Sequence, residues 1–257
     1  KVSVSFVIII TLILTSILVC NFKGNVKASA ASGRDKFNMS YIYFGGAYTY
    51  TDKVDKAKGA LNDVAPSYFD LNADGSLKLN NISKSFVKDM HNRGIKVTPF
   101  LSNHWDRACG RQAINNISED PLEEDLVDQI VAAIEDNNFD GVNVDIENLT
   151  LEDRDAYTNF VKVLRERLPS DKSLSIAVAA NPYNYQNGWQ SSYDYANLAK
   201  YCDYLMVMAY DEHHQGGPEG PPASGSFAEK SILYALKHVA ADKIVLGVPF
   251  YGRYWQE

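Results

Sequence analysis

Short apolar, β-branched runs alternate with longer stretches of helical period along most of this chain. Met39 to Phe44 reads as a strand entering a loop at Gly45-Gly46. Val64 to Phe69 reads as a second strand, followed by the turn-like Asn72-Ala73-Asp74-Gly75. From Ser83 to Asn92, Phe86, Val87 and Met90 share one helical face, and Gly94 closes the segment. Ile95 to Leu101 is the third predicted strand and runs into Ser102-Asn103-His104-Trp105. Pro121 opens a predicted helix striped by Leu122, Leu126, Ile130 and Ile134, and Phe139 to Glu147 is the fourth strand. Thr150 and Asp153 have capping-box spacing ahead of a helix lined by Tyr157, Phe160, Val161, Leu164 and Leu168, which Pro169 stops. Leu174 to Ala180, Tyr204 to Tyr210 and Ile244 to Val248 are strands five, six and seven. Ser226 and Glu229 cap the helix between the last two.

Strand–helix–strand repeated this often predicts a parallel sheet with helical crossovers. No G-x-G-x-x-G follows the first strand, which removes the dinucleotide-binding form of a doubly wound sheet. Polar and aromatic residues gather after the carboxyl ends of strands three to six, as on the active rim of a (β/α)8 TIM barrel. The expected class is therefore α/β, a (β/α)8 TIM barrel over residues 38–257, truncated after about the seventh strand because an eighth is not visible before Glu257. Residues 31–37 read as a linker. Residues 1–30 read as a signal peptide: Lys1, an apolar run from Val4 to Val19, then a small-x-small site at Ala28-Ser29-Ala30. An uncleaved membrane anchor is the alternative, since the run approaches spanning length. A lipidated Cys20 fits poorly, because Ile17-Leu18-Val19 lacks small residues. A secreted, extracellular or cell-wall- or spore-associated protein follows, with membrane contact only through the signal segment.

Composition narrows the partners. The chain of 257 residues is 46% hydrophobic, carries a net charge of −7 and holds no long basic run, which argues against nucleic acid. Its 16 tyrosines suit flat polar ligands such as carbohydrate.

The fourth strand carries the candidate chemistry. In Asp140-Gly141-Val142-Asn143-Val144-Asp145-Ile146-Glu147, alternation places Asn143, Asp145 and Glu147 on one face. Two carboxyls on an inner strand are hard to desolvate, and such pairs separate into an acid and a base. The octad resembles the D-x-x-D-x-D-x-E signature of glycoside hydrolase family 18, which includes chitinases, endo-β-N-acetylglucosaminidases and spore-cortex peptidoglycan hydrolases. Met208-Ala209-Tyr210-Asp211 resembles the family's M-x-Y-D, and Gly247-Val248-Pro249-Phe250-Tyr251-Gly252-Arg253 its strand-seven motif.

The resemblance implies substrate-assisted hydrolysis with retention, an exception to the two-carboxylate scheme. It implies Glu147 as general acid and then base, Asp145 as clamp on the substrate's 2-acetamido group, and Tyr210 as hydroxyl donor to that group. Asn143, Met208 and Asp211 are the implied substrate-binding residues, and Asp140 structural support. Trp255 joins the substrate-binding candidates by its place just after strand seven, where an indole could stack on a sugar ring. No cofactor or metal is implied. The substrate is a polysaccharide containing N-acetylglucosamine, peptidoglycan or cortex first and chitin second. Asn143 departs from the usual middle acid: an amide can donate to Asp145 but cannot carry a proton. The same variant occurs in the spore-associated branch, which often carries N-terminal cell-wall-binding repeats; none is visible here. The competing function is a non-hydrolytic glycan- or cell-wall-binding barrel.

Other features read more plainly. His104, His213 and His214 lack ligand spacing and read as solvated loop histidines. The acidic run from Glu119 to Asp125 reads as a helix N-terminus. Trp105 and Trp189 are rim candidates beside Trp255. Whether Cys109 and Cys202 pair stays open.

Overall fold

The computed structural model describes residues 36–43, 45–118, 120 and 123–255. The signal segment, Cys20 and the Pro121-Leu122 start of the predicted helix lie outside the described residues. Ten strands and seven α-helices are seen among them. The strands are β1 (Met39–Ile42), β2 (Asp63–Pro66), β3 (Phe69–Leu71), β4 (Leu77–Leu79), β5 (Lys96–Val97), β6 (Phe100–Ser102), β7 (Gly141–Asp145), β8 (Ser173–Ala179), β9 (Tyr204–Met208) and β10 (Ile244–Leu246). The helices are α1 (Ala47–Lys56), α2 (Lys84–Asn92), α3 (Arg107–Asn115), α4 (Leu126–Asp136), α5 (Arg154–Arg167), α6 (Tyr195–Tyr201) and α7 (Gly225–Leu236).

Two predicted strands are each broken in two. The second divides into β2 and β3 around Ser67-Tyr68, and the third into β5 and β6 around Thr98-Pro99. β1, β2 and β5 form one parallel sheet; β10, β9, β8, β7, β6, β3 and β4 form the other. β4 pairs antiparallel with β3, a hairpin the pattern did not predict. Pro99 lacks an N–H and cannot continue the ladder as donor. Its carbonyl still accepts from Asn143 N at 3.0 Å, and Val97 O accepts from Asp140 N at 2.9 Å, so the break is bridged. Side chains of β1 cross the interior: Tyr41 OH donates to Asn143 Oδ1 on β7 at 2.8 Å, and Met39 Sδ accepts from Tyr204 OH on β9 at 3.3 Å. The sheet therefore curls round its inner face. No pairing joins β10 to β1, and no closed ring is seen, among the described residues.

Two apolar clusters lie on either side of this sheet. Val142, Val144, Ile176, Val178, Leu205 and Val207 bury against the helices, and Ala177, Met206 and Met208 form a small cluster with Tyr41 and Tyr210. Side-chain caps set where most helices start: Ser83, Asp106, Asp125, Asp194 and Ser224 each accept from a backbone N–H in the first turn. Two expectations are corrected here. The last helix is capped by Ser224 rather than by Ser226, which lies inside it. Of the acidic run, only Asp125 caps α4, and Glu123 and Glu124 precede the helix. The Thr150–Asp153 capping box is present, on a 3-10 turn that leads into α5. No helix of the described residues is long and apolar enough to cross a membrane.

Candidate active site

β7 turns Val142 and Val144 outward, both fully buried, and Asn143 and Asp145 inward. Asn143 is itself fully buried, with its oxygen taking Tyr41 OH and its amide donating to Ser175 Oγ at 2.8 Å. Its hydrogen bonds therefore run to β1 and β8, which corrects the expectation of an amide donor turned to Asp145. The amide forms part of the floor beneath the site.

Asp145 ends the strand with Oδ1 buried and without a hydrogen-bond partner among the described residues. Leaving such an acceptor unpaired costs about 1–3 kcal/mol, so it is a position waiting for a donor. Burial pushes its carboxyl well above the usual carboxylate range. Glu147 follows just beyond the strand. Burial chiefly, then the charges of Asp145 and Asp211, push its carboxyl up as well. Burial and these carboxyls also hold the Tyr210 and Tyr41 hydroxyls protonated, as donors, far above neutral pH.

The loops after β6, β7, β8 and β9 wall a cleft of about 720 Å³. Glu147, Met208, Tyr210 and Asp211 line it together with Trp105, Trp189, Tyr183 and Tyr185. An adjoining cavity of about 400 Å³ shares Glu147 and Trp105 and adds Tyr41, Tyr43, His104 and Asp145. His104, Trp105, Asn148 and Asp211 all have positive φ, at 48°, 66°, 59° and 58°. Backbone strain of this kind in non-glycine residues concentrates where surrounding structure over-determines it, often at functional sites.

The segment after β10 reaches back to this rim. Asp211 Oδ1 accepts from Tyr251 OH at 2.7 Å and from Arg253 Nη2 and Nε at 2.5 and 3.2 Å. Gly247 is there because a Cβ would stand 2.7 Å from Met206 Sδ and Val207 O.

Asp140 sits at the opposite end of β7, where its Oδ2 accepts from Val97 N and pairs with His91 Nε2, both at 2.8 Å. Trp255 is not brought to the cleft. It lines a separate pocket with Gln215 and Arg253, and its indole donates to Gly217 O. His104 is an exposed loop histidine as expected, and its Nε2 pairs with Asp70 at 2.9 Å. No group of three or more potential metal ligands occurs among the described residues. Cys109 and Cys202 are both free thiols.

Sequence reasoning missed three supports. Asn103 bonds the backbone of Glu147 through both ends of its amide, Tyr193 OH donates to Ile146 O at 2.9 Å, and Tyr41 holds Asn143. Only Asn103 left a signal, its place in the polar run after strand three.

Comparison with known proteins places these residues in context. The profile of Glycosyl hydrolases family 18 matches residues 39–257. An uncharacterized glycosylase of Bacillus subtilis (strain 168), YvbX, is 26% identical over 97% of this chain and 71% of its own. A cortical fragment-lytic enzyme of Bacillus anthracis is 26% identical over 52% of this chain and 32% of its own length. The crystal structure of a chitinase from Chromobacterium violaceum superposes with a TM-score of 0.72 at 25% identity, covering 82% of this chain and 68% of that one. These likenesses make the fold α/β and TIM-barrel-like.

Proposed function

Because the chain belongs to glycosyl hydrolase family 18 and is thereby a glycoside hydrolase, we propose that it is a secreted retaining enzyme that cleaves β-1,4 bonds at N-acetylglucosamine. Peptidoglycan or spore cortex is the first substrate, supported by the amide at Asn143 and by the cortical fragment-lytic relative. Chitin is the second, supported by the chitinase likeness. Secretion rests on the pattern of residues 1–30.

One observation carries the mechanism: an orphaned buried acceptor on Asp145 stands beside a carboxyl, Glu147, whose proton affinity is raised. Glu147 gives its proton to the leaving glycosidic oxygen. The carbonyl oxygen of the substrate's 2-acetamido group attacks the anomeric carbon from the other side, forming an oxazolinium ion. Asp145 Oδ1 accepts the acetamido N–H, which satisfies the orphan and stabilises the positive ring. The Tyr210 hydroxyl donates to the acetamido oxygen. Glu147, now a carboxylate, takes a proton from water as that water opens the ring, and configuration is retained. Trp105 and Trp189 offer apolar faces to sugar rings.

The test is product analysis with the full chain on purified peptidoglycan and on chitin, with the anomer followed by NMR. N-acetylglucosamine reducing ends appearing first as the β-anomer are expected. First appearance of the α-anomer would overturn the mechanism. Binding without turnover would instead assign a glycan-binding barrel.

A further inference from the structure

We propose that Asn103 is a positioning residue for Glu147, an inference that rests on the reading of Glu147 as the general acid. The β6–β7 ladder stops at Ser102 opposite Asp145. Past Ser102 the β6 backbone turns out of the sheet through the left-handed conformations of His104 and Trp105. Glu147 lies two residues beyond the last rung, where its own N–H and C=O would have no strand to pair with. A side-chain amide carries the same donor and acceptor as a peptide group. Asn103 uses both: its Oδ1 accepts from Glu147 N at 2.8 Å and its Nδ2 donates to Glu147 O at 2.8 Å. One side chain thus supplies the next rung of the sheet to the residue that needs it.

The arrangement has one workable orientation. The second N–H of Nδ2 donates to Asp106 O at 2.8 Å, so a flipped amide would lose all three bonds. Asn103 is 2% exposed, and α3 presses on it: a Cβ on Gly110 would stand 2.7 Å from Nδ2. The neighbouring peptides are tied as well, Ile146 O by Tyr193 OH and Trp105 O by Asn148 Nδ2 at 2.9 Å. All of these bonds act on backbone. None touches the Glu147 carboxyl, which stays free to give and take a proton while its Cα is held against Asp145. An aspartate at 103 would keep the acceptor, oppose the Glu147 carbonyl and add charge near the pair.

The experiment compares wild type with Asn103→Leu and Asn103→Asp on one soluble N-acetylglucosamine oligomer. Melting temperature and calorimetric binding are measured alongside. Displacing a reacting group by about 1 Å can cost about 10²-fold in rate. The expected result for a folded Asn103→Leu is kcat lower by about that factor, with KM and binding within about threefold. Wild-type kcat in the folded variant overturns the proposal, and so does a loss confined to KM. Should Asn103→Leu not fold, Asn103→Asp decides: a lower kcat with a displaced pH–rate profile supports positioning, and an unchanged profile sinks it. If wild type hydrolyses no substrate, the proposed function fails separately. Crystal structures of wild type and variant then decide this inference, by whether the Glu147 carboxyl has moved.

Discussion

Asp140 and Asp145 stand at opposite ends of β7 and live in opposite circumstances. Asp140, below, has a backbone N–H and a histidine as partners and stitches β7 to β5 and α2. Asp145, above, has a buried oxygen with no partner among the described residues, a raised proton affinity and strained neighbours on the adjoining loops. One residue type, on one strand, is structural at one end and unspent at the other. Parallel strands in barrel-like folds show this polarity generally, with stability built at the amino ends and chemistry at the carboxyl ends. An unsatisfied acceptor at a cavity wall, rather than the presence of acids, therefore marks the site. The buried hydroxyls of Tyr68 and Tyr157 also lack partners among the described residues, but they lie in the apolar core.

Substitutions can break or sharpen the contrast. Glu147→Gln should lower turnover by about 10²–10⁴-fold, the usual worth of a general acid, and leave the melting temperature equal or higher. An undiminished rate would remove Glu147 from the mechanism. Asp145→Asn should lower turnover by about 10²-fold and raise stability above pH 7. The sign follows from its raised folded pKa. The carboxyl's contribution is fully present below the unfolded value of about 3.9 and is lost as pH rises through the higher folded value. The variant, having no proton to lose, should gain on wild type across that window. Melting curves at pH 4 and pH 8 measure it, and a gap that does not widen contradicts the burial argument. Asp140→Ala should do the reverse, lowering stability by about 1–2 kcal/mol with turnover nearly unchanged. A drop in rate at full stability would erase the distinction between the two ends.

Much of this was legible in the sequence where one local rule decided the outcome. Alternation from Phe139 to Glu147 points to a strand with an apolar and a polar side, of which Gly141–Asp145 forms, and the helical stripe of α5 and its Thr150–Asp153 box had no competitor. The strand breaks at Ser67-Tyr68 and Thr98-Pro99 were hidden because residues on both sides favour β structure. The short helices α1, α3 and α6 went unseen since polar residues interrupt their apolar period. Ser226 has the glutamate three residues on, yet Ser224 is the cap, and its N–H and hydroxyl both donate to the Glu212 carboxylate from outside the helix. Nearness to strand seven points Trp255 at the cleft, whereas Tyr251 and Arg253 are the residues of this segment that reach Asp211 and the Trp255 indole is held on Gly217 O. Asn103 shows in the sequence only as part of a polar run: a lone amide at a strand end looks like loop until its partner Glu147, far along the chain, is in view.

Trp105 and Trp189, edge to face at 4.9 Å in the cleft wall, give the molecule a built-in optical gauge. They are two of only three tryptophans, and the third lies in a different pocket. Emission from this indole pair should change when a ligand displaces water from the cleft, and coupled transitions at this spacing should give a near-ultraviolet dichroism sensitive to their angle. Occupancy of the site can thus be titrated by fluorescence in a protein that no longer turns over.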